Sequence, residues 1–194
     1  PKITDLIILD NYPLNEIDKY IDWTPLFNTW ELKGQYPKIF ENERYGTHAK
    51  ELFKDAKTLL KKIINNNLLK AKAVLQIFPA VSNDDDIEII NLKSGEKSII
   101  HHFRQQIKKA DHQYCLSDFI APKSSGKKDW MGCFAVTVGL ELEEIVNRFE
   151  ADNDDYNAIM AKALADRLAE AFTELLHEKF RKEYWGYAAE ENYS

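Results

Sequence analysis

Carboxylates are the groups through which this chain offers chemistry. Asp22 lies in Ile21-Asp-Trp-Thr-Pro25, where a tryptophan and a proline flank it and partly shield it from water. A shielded carboxylate that stays ionised suits a bound cation, and Asp is also among the best residues for capping a helix that begins at Trp23. Glu170 lies in the run Asp154–Phe172, on a line with Tyr156, Ala163 and His177 at spacings of seven. On a helix these four share one edge of an apolar stripe, so Glu170 reads as a pocket wall or as a solvated shoulder. Arg167 at i−3 and Glu174 at i+4 add a third reading, a surface charge ladder worth about 0.2–0.5 kcal/mol per pair.

Other chemistries find no support in these residues. The chain has no Gly-rich phosphate loop, no nucleophile elbow and no paired-histidine metal motif. Cys115 and Cys133 sit inside apolar stretches without metal-ligand spacing, as expected of two reduced thiols in a cytosolic core. His101 and His102 are adjacent, and adjacent side chains do not converge on one ion, so no metal site is expected. Phe119, Trp130 and Trp185-Gly-Tyr187 offer flat surfaces on which a planar ligand can stack, although large aromatics more often belong to a core. A net charge of −6 over 194 residues leaves no footprint for nucleic acid. No segment approaches the roughly 18 apolar residues of a membrane helix, and no signal peptide opens the chain. Positive charge is concentrated in Lys97 to Lys109 and in the loop Lys123 to Lys128, which suits an acidic docking partner or simply solvated loops.

Periodicity supplies the elements that must hold these groups. Tyr156, Ile159, Met160, Ala163, Leu164, Leu168, Ala171, Phe172, Leu175 and Leu176 recur at three- and four-residue steps, predicting a helix over Asp154 to Trp185 capped by Asn153 or Asp154. Ala161, Ala163, Ala165, Ala169 and Ala171 permit close packing against its backbone. A second helix is predicted over Glu43 to Asn66, a short one over Thr24 to Trp30 with Pro25 in its first turn, and another over Glu141 to Glu150. Strands are predicted at Lys72 to Pro79 and Asp86 to Asn91 around the turn Ser82–Asp85, and β-prone runs at Leu116 to Ala121 and Gly132 to Gly139. Ser98 to Lys109 reads as a basic helix or strand. Strands in the middle with helices at both ends predict an α+β fold whose sheet is antiparallel or mixed.

Several blocks resemble, in order, the C-terminal activation domain of cobalamin-dependent methionine synthase. They are IDWTPLFNTWELKGQYP (Ile21 to Pro37), LFKDA (Leu52 to Ala56), IFPA and DDIEI (Ile77 to Ala80, Asp85 to Ile89), FRQQ (Phe103 to Gln106), YCLSDFIAPKSSGKKDW (Tyr114 to Trp130), FAVTVGLE (Phe134 to Glu141), DDYNAIMAKALADRLAEAF and HEKFRKEYWGY. The resemblance spans roughly Leu14 to Ser194. It implies a twisted, mainly antiparallel sheet flanked by helices, with a long C-terminal helix. Residues 1–13 are expected to be a linker from a preceding cobalamin-binding domain, and residues 14–194 a partial activation domain. The family's Arg-Pro-Ala-Pro-Gly-Tyr-Pro segment has no counterpart in these residues, and with Pro1 in first place the expectation is a piece of a longer polypeptide.

The resemblance also implies a cytoplasmic methyltransferase of methionine biosynthesis. Methyltetrahydrofolate methylates homocysteine through cobalamin, and the occasionally oxidised cob(II)alamin is remethylated from S-adenosylmethionine with an electron from a flavodoxin-like reductase. Asp22 and Glu170 match family positions that contact S-adenosylmethionine. The domain positions a methyl donor, so no side chain is expected to be catalytic, and the isolated chain is not expected to turn over by itself. The competing reading is a stand-alone module that senses S-adenosylmethionine or docks on a corrinoid protein without turnover.

Overall fold

The computed structural model describes residues 1–107 and 111–191. Five strands, β1 (Ile7–Tyr12), β2 (Ala71–Asn83), β3 (Asp86–Ile90), β4 (Lys97–His101) and β5 (Asp129–Val138), form one sheet in the order β1-β2-β3-β4, with β5 pairing with β2. The helices are α1 (Leu14–Ile17), α2 (Thr24–Thr29), α3 (Gly46–Asn65), α4 (Leu142–Ala151) and α5 (Asp155–Lys179). The fold is α+β with a long C-terminal helix, as the sequence predicts. Two compact units divide it: Pro1–Ile7, Leu75–Phe134 and Phe180–Ser194 in the first, Ile8–Val74 and Ala135–Lys179 in the second.

In the first unit, β2, β3 and β4 form an antiparallel meander. Asn83 pairs with Asp86, so the hairpin loop is Asp84-Asp85, and Asp84 adopts φ 53°. Asp tolerates this left-handed conformation better than most residues because its short side chain can bond locally. The hairpin therefore turns inside the predicted Ser82–Asp85 segment, and β2 runs longer than expected. Burial along β2 alternates through Leu75 and Ile77 and then changes phase to Ala80 and Ser82. The change falls at Phe78-Pro79, where proline has no N–H to give a ladder. Of the basic stretch Ser98 to Lys109, only the start is strand, as β4 ends at His101; residues 102–107 form neither helix nor strand, and Lys108 and Lys109 lie outside the described residues.

The run Leu116 to Ala121 departs from the expected strand. Leu116–Phe119 is a 3-10 turn, because the Asp118 carboxylate accepts the Cys115 N–H at 2.9 Å and folds the backbone back on itself. Local side-chain-to-backbone bonding of this kind competes with a sheet ladder and wins. The chain after it returns beside β2, where Ser82 N–H donates to Ala121 O at 3.0 Å and Ser82 Oγ–H donates to Ile120 O at 2.8 Å.

In the second unit α5 is the axis of the core. Met160, Ala161, Leu164, Leu168, Phe172 and Leu176 are fully buried on it. Tyr12 packs its ring against Phe172 at 5.1 Å, and Trp23, Phe27 and Phe40 gather round Phe53 of α3. Ala49, Leu52, Ala56, Leu59, Leu60 and Ile63 form the buried face of α3, which lies within the predicted Glu43 to Asn66. The stripe on α5 is narrower than its sequence suggests, since Tyr156 and Ile159 are exposed. Asp154 supplies the cap: its Oδ1 accepts the Asn157 N–H at 3.1 Å. Asn153 instead takes φ 55° in the preceding turn.

Candidate functional site

Asp22 stands between two buried neighbours, Ile21 and Trp23, with its own side chain turned to solvent. Its Oδ1 accepts the Thr24 N–H at 2.9 Å in the turn that leads into α2, one residue ahead of the N-cap Trp23, so the expected cap is displaced to a local turn bond. The Thr24 hydroxyl accepts the Tyr36 N–H at 3.2 Å, tying the irregular segment after α2 to the same turn. Trp23 is held edge-on to Phe53, with ring centroids 5.0 Å apart. The turn that carries Asp22 is thus fixed on three sides, while Oδ2 takes part in no hydrogen bond with the described residues.

Glu170 projects from the exposed shoulder of α5, its side chain 63% accessible. Arg167 donates Nη1–H to Glu170 and Nη2–H to Asp166, the latter at 2.6 Å. Arg167 is the buried member, with its side chain 9% accessible. One guanidinium facing two carboxylates leaves the cluster with a net charge of −1. The i−3 partner weighed in the sequence is therefore real, and it anchors Glu170 rather than dispersing it. The sequence weighed Arg167 only as one rung of a surface charge ladder, whereas the structure buries it on α5, where an arginine must find carboxylates. The other members of the edge, Tyr156 and His177, are exposed and Ala163 is half-buried, so the edge is the rim of the buried stripe.

The aromatic candidates separate. Phe119 is 72% exposed and stacks on Tyr114 with centroids 6.5 Å apart. Trp130 lines a mostly apolar cleft of about 300 Å³ with Pro79, Val81, Ile90 and Leu92. Trp185 meets Tyr187 edge-on at 5.5 Å. The basic segments are partly spent: Lys97 and Lys123 both reach Glu88, at 3.3 and 3.2 Å, and hold its carboxyl below the usual range. Arg104 forms a tighter clasp. Its Nε–H donates to Asp85 at 2.9 Å and its Nη groups grip both oxygens of Asp118 at 2.8 Å. Among the described residues no three His, Cys, Asp or Glu side chains gather as metal ligands. Cys115 is buried, Cys133 is half-buried, and neither forms a disulfide. No helix among the described residues is long and apolar enough to cross a membrane.

Comparison with known proteins agrees with this architecture. The family model of the vitamin B12 dependent methionine synthase activation domain matches residues 13–194. A crystal structure of the MetH reactivation domain bound to AdoHcy superposes with a TM-score of 0.91 at 49% sequence identity. That alignment covers 99% of this chain and 60% of the other, so the present chain spans about three fifths of the solved domain. With nearly its whole length matched by the family model, this chain belongs to the vitamin B12 dependent methionine synthase activation domain family.

Proposed function

We propose that this chain serves the reactivation of a cobalamin-dependent methionine synthase, a methyltransferase, by binding S-adenosylmethionine. The observation that carries the reading is the near full-length superposition on a reactivation domain bound to AdoHcy, the demethylated form of that donor. When bound, S-adenosylmethionine supplies an activated methyl group on a sulfonium, for a cobalt that a flavodoxin-like reductase has reduced. Cobalamin itself belongs to a neighbouring domain of the same polypeptide, and residues 1–13 lead from it in this reading.

The residues present fit a cationic ligand. Asp22 has one carboxylate oxygen committed to α2 and the other free, on a turn that its neighbours immobilise. The Asp166–Arg167–Glu170 cluster carries a surplus negative charge. We assign Asp22 to the ligand's ammonium or sulfonium charge and Glu170, held by Arg167, to the same pocket. Both act by position: fixing donor and acceptor relative to each other makes a transfer effectively unimolecular, with no acid, base or nucleophile required of this chain.

Calorimetric titration of S-adenosylmethionine into a chain extended to the full length of the solved reactivation domain tests the assignment. Asp22→Asn keeps an oxygen that accepts the Thr24 N–H and removes the charge. The expected result is a several-fold weaker affinity at unchanged thermal stability. Equal affinities for the two proteins would remove Asp22 as the charge partner.

A further inference from the structure

The described lysines divide into two classes. Lys97 and Lys123 share Glu88, Lys70 pairs with Glu141, and Lys72 pairs with Asp10. Lys50, Lys54, Lys57 and Lys61 do not pair. They stand at steps of four, three and four along α3, all exposed, and among the described residues none has a carboxylate at ion-pair distance. At 100° per residue they fall within an arc of about 60°, and the stripe runs about 16 Å along the helix. Lys57 is further held with its ammonium 5.4 Å from the Trp23 ring centroid. Four unpaired cations thus lie in line on a chain whose net charge is −6.

The stripe borders a shallow groove of about 1020 Å³. Phe53, Leu60 and Ile64 of α3 lie in it beside Lys54, Lys57 and Lys61, and Asn15 and Asp18 come from the chain around α1. Apolar side chains beside a charged border are the arrangement of a protein interface: the border steers and orients, the apolar part gains from desolvation. We propose that this face of α3 is the docking surface for an acidic protein, and, resting on the reading above, that this protein is the flavodoxin-like electron donor. A nucleic acid or an anionic membrane fits less well. The stripe contains no arginine fork for bidentate phosphate contact, and the chain's overall negative charge repels an extended polyanion.

The test uses flavodoxin in its FMN form as the probe, with this chain in its full 194 residues. Affinity is measured between about 10 mM and about 0.15 M salt, where the screening length falls from roughly 30 to roughly 8 Å. The wild type should bind and weaken steeply as salt rises. K50Q/K54Q/K57Q/K61Q should bind about tenfold more weakly or worse with a flattened salt dependence, and K54Q/K61Q should fall between. K97Q/K123Q, which removes the paired lysines, should match the wild type. Glutamine is a good helix former, so circular dichroism should be unchanged, and the double variant carries the test if the quadruple one unfolds. A wild type that binds, with α3 variants that bind equally well, would overturn the surface and leave the reductase reading standing. No flavodoxin binding by the wild type even at low salt would overturn the reductase reading together with the surface. Tighter α3-dependent binding to duplex DNA or to phosphatidylserine vesicles than to flavodoxin would overturn the proposal in favour of a phosphate-bearing partner.

Discussion

At the scale of single residues, two tyrosines and one aspartate report on their surroundings. Burial, and then donation to Glu16, pushes Tyr12 up to about 12; burial, and then donation to Asp55, does the same for Tyr156. A raised phenol favours the protonated form in the folded state. The associated stability is complete below about pH 10 and is lost as pH rises through about 12. Ultraviolet titration should resolve a late class of tyrosines, and Tyr12→Phe together with Tyr156→Phe should shrink it, leaving Tyr20, which donation to Glu178 also raises. Asp118 behaves in the opposite sense. Arg104, and then the Cys115 N–H, hold its carboxyl down at about 2. Its contribution is present above the ordinary value of 3.8 and disappears as pH falls toward 2, so stability rises with pH through that window. Exchange of the Cys115 amide should accelerate as pH drops through the window, relative to amides of β2. In Asp118→Asn this pH-linked acceleration should vanish. Such residues mark the limit of sequence reading: a local turn bond from Asp22 was legible from Trp-Thr-Pro after it, although the cap of α2 falls on Trp23, whereas the clasp of Arg104 on Asp85 and Asp118 joins residues 14 to 19 positions apart and leaves no local pattern.

At the scale of elements, the helices were legible because each has one buried face, and a face of period 3.6 is written directly into apolar spacing. The 3-10 turn at Leu116–Phe119 was not, because its apolar run satisfies a strand pattern as well as a turn pattern. Asp118 decides between them by bonding back to Cys115. Gly46, the first residue of α3, supplies a further test. Replacing glycine by alanine within a helix ordinarily gains about 1 kcal/mol from propensity. Here a Cβ would lie 2.6 Å from the Phe40 carbonyl oxygen, a backbone atom that cannot swing aside. Overpacking of this kind costs about 1–3 kcal/mol, so the clash outweighs the propensity. Gly46→Ala is expected to destabilise by up to about 2 kcal/mol in urea unfolding; a stabilised variant would mean that the Phe40 turn moves freely.

At the scale of the whole molecule, the ligand reading implies a weak site in these residues alone. Exposed ion pairs contribute about 0–1 kcal/mol each, and millimolar affinity already needs about 4 kcal/mol. Two open-sided carboxylates, Asp22 and Glu170, therefore fall short unaided. S-adenosylmethionine should bind this chain weakly, and a chain extended to the full length of the solved reactivation domain should bind it measurably better by calorimetry. Tight binding by the 194 residues alone would contradict the need for further enclosure. What the sequence determined by itself was the longer helices, strands β2, β3 and β5 and the α+β class, because periodicity and turn residues act over a few positions; the choice of Asp22 and Glu170 among many carboxylates rested on the resemblance. What tertiary structure alone decided was the electrostatic state of those charges. Lys97 and Lys123 looked available and converge on Glu88, and Glu170, read as pocket wall or solvated shoulder, is gripped by buried Arg167. Whether a charge is neutralised depends on partners brought within about 4 Å by the fold. Sequence spacing carries that information only along a single helix.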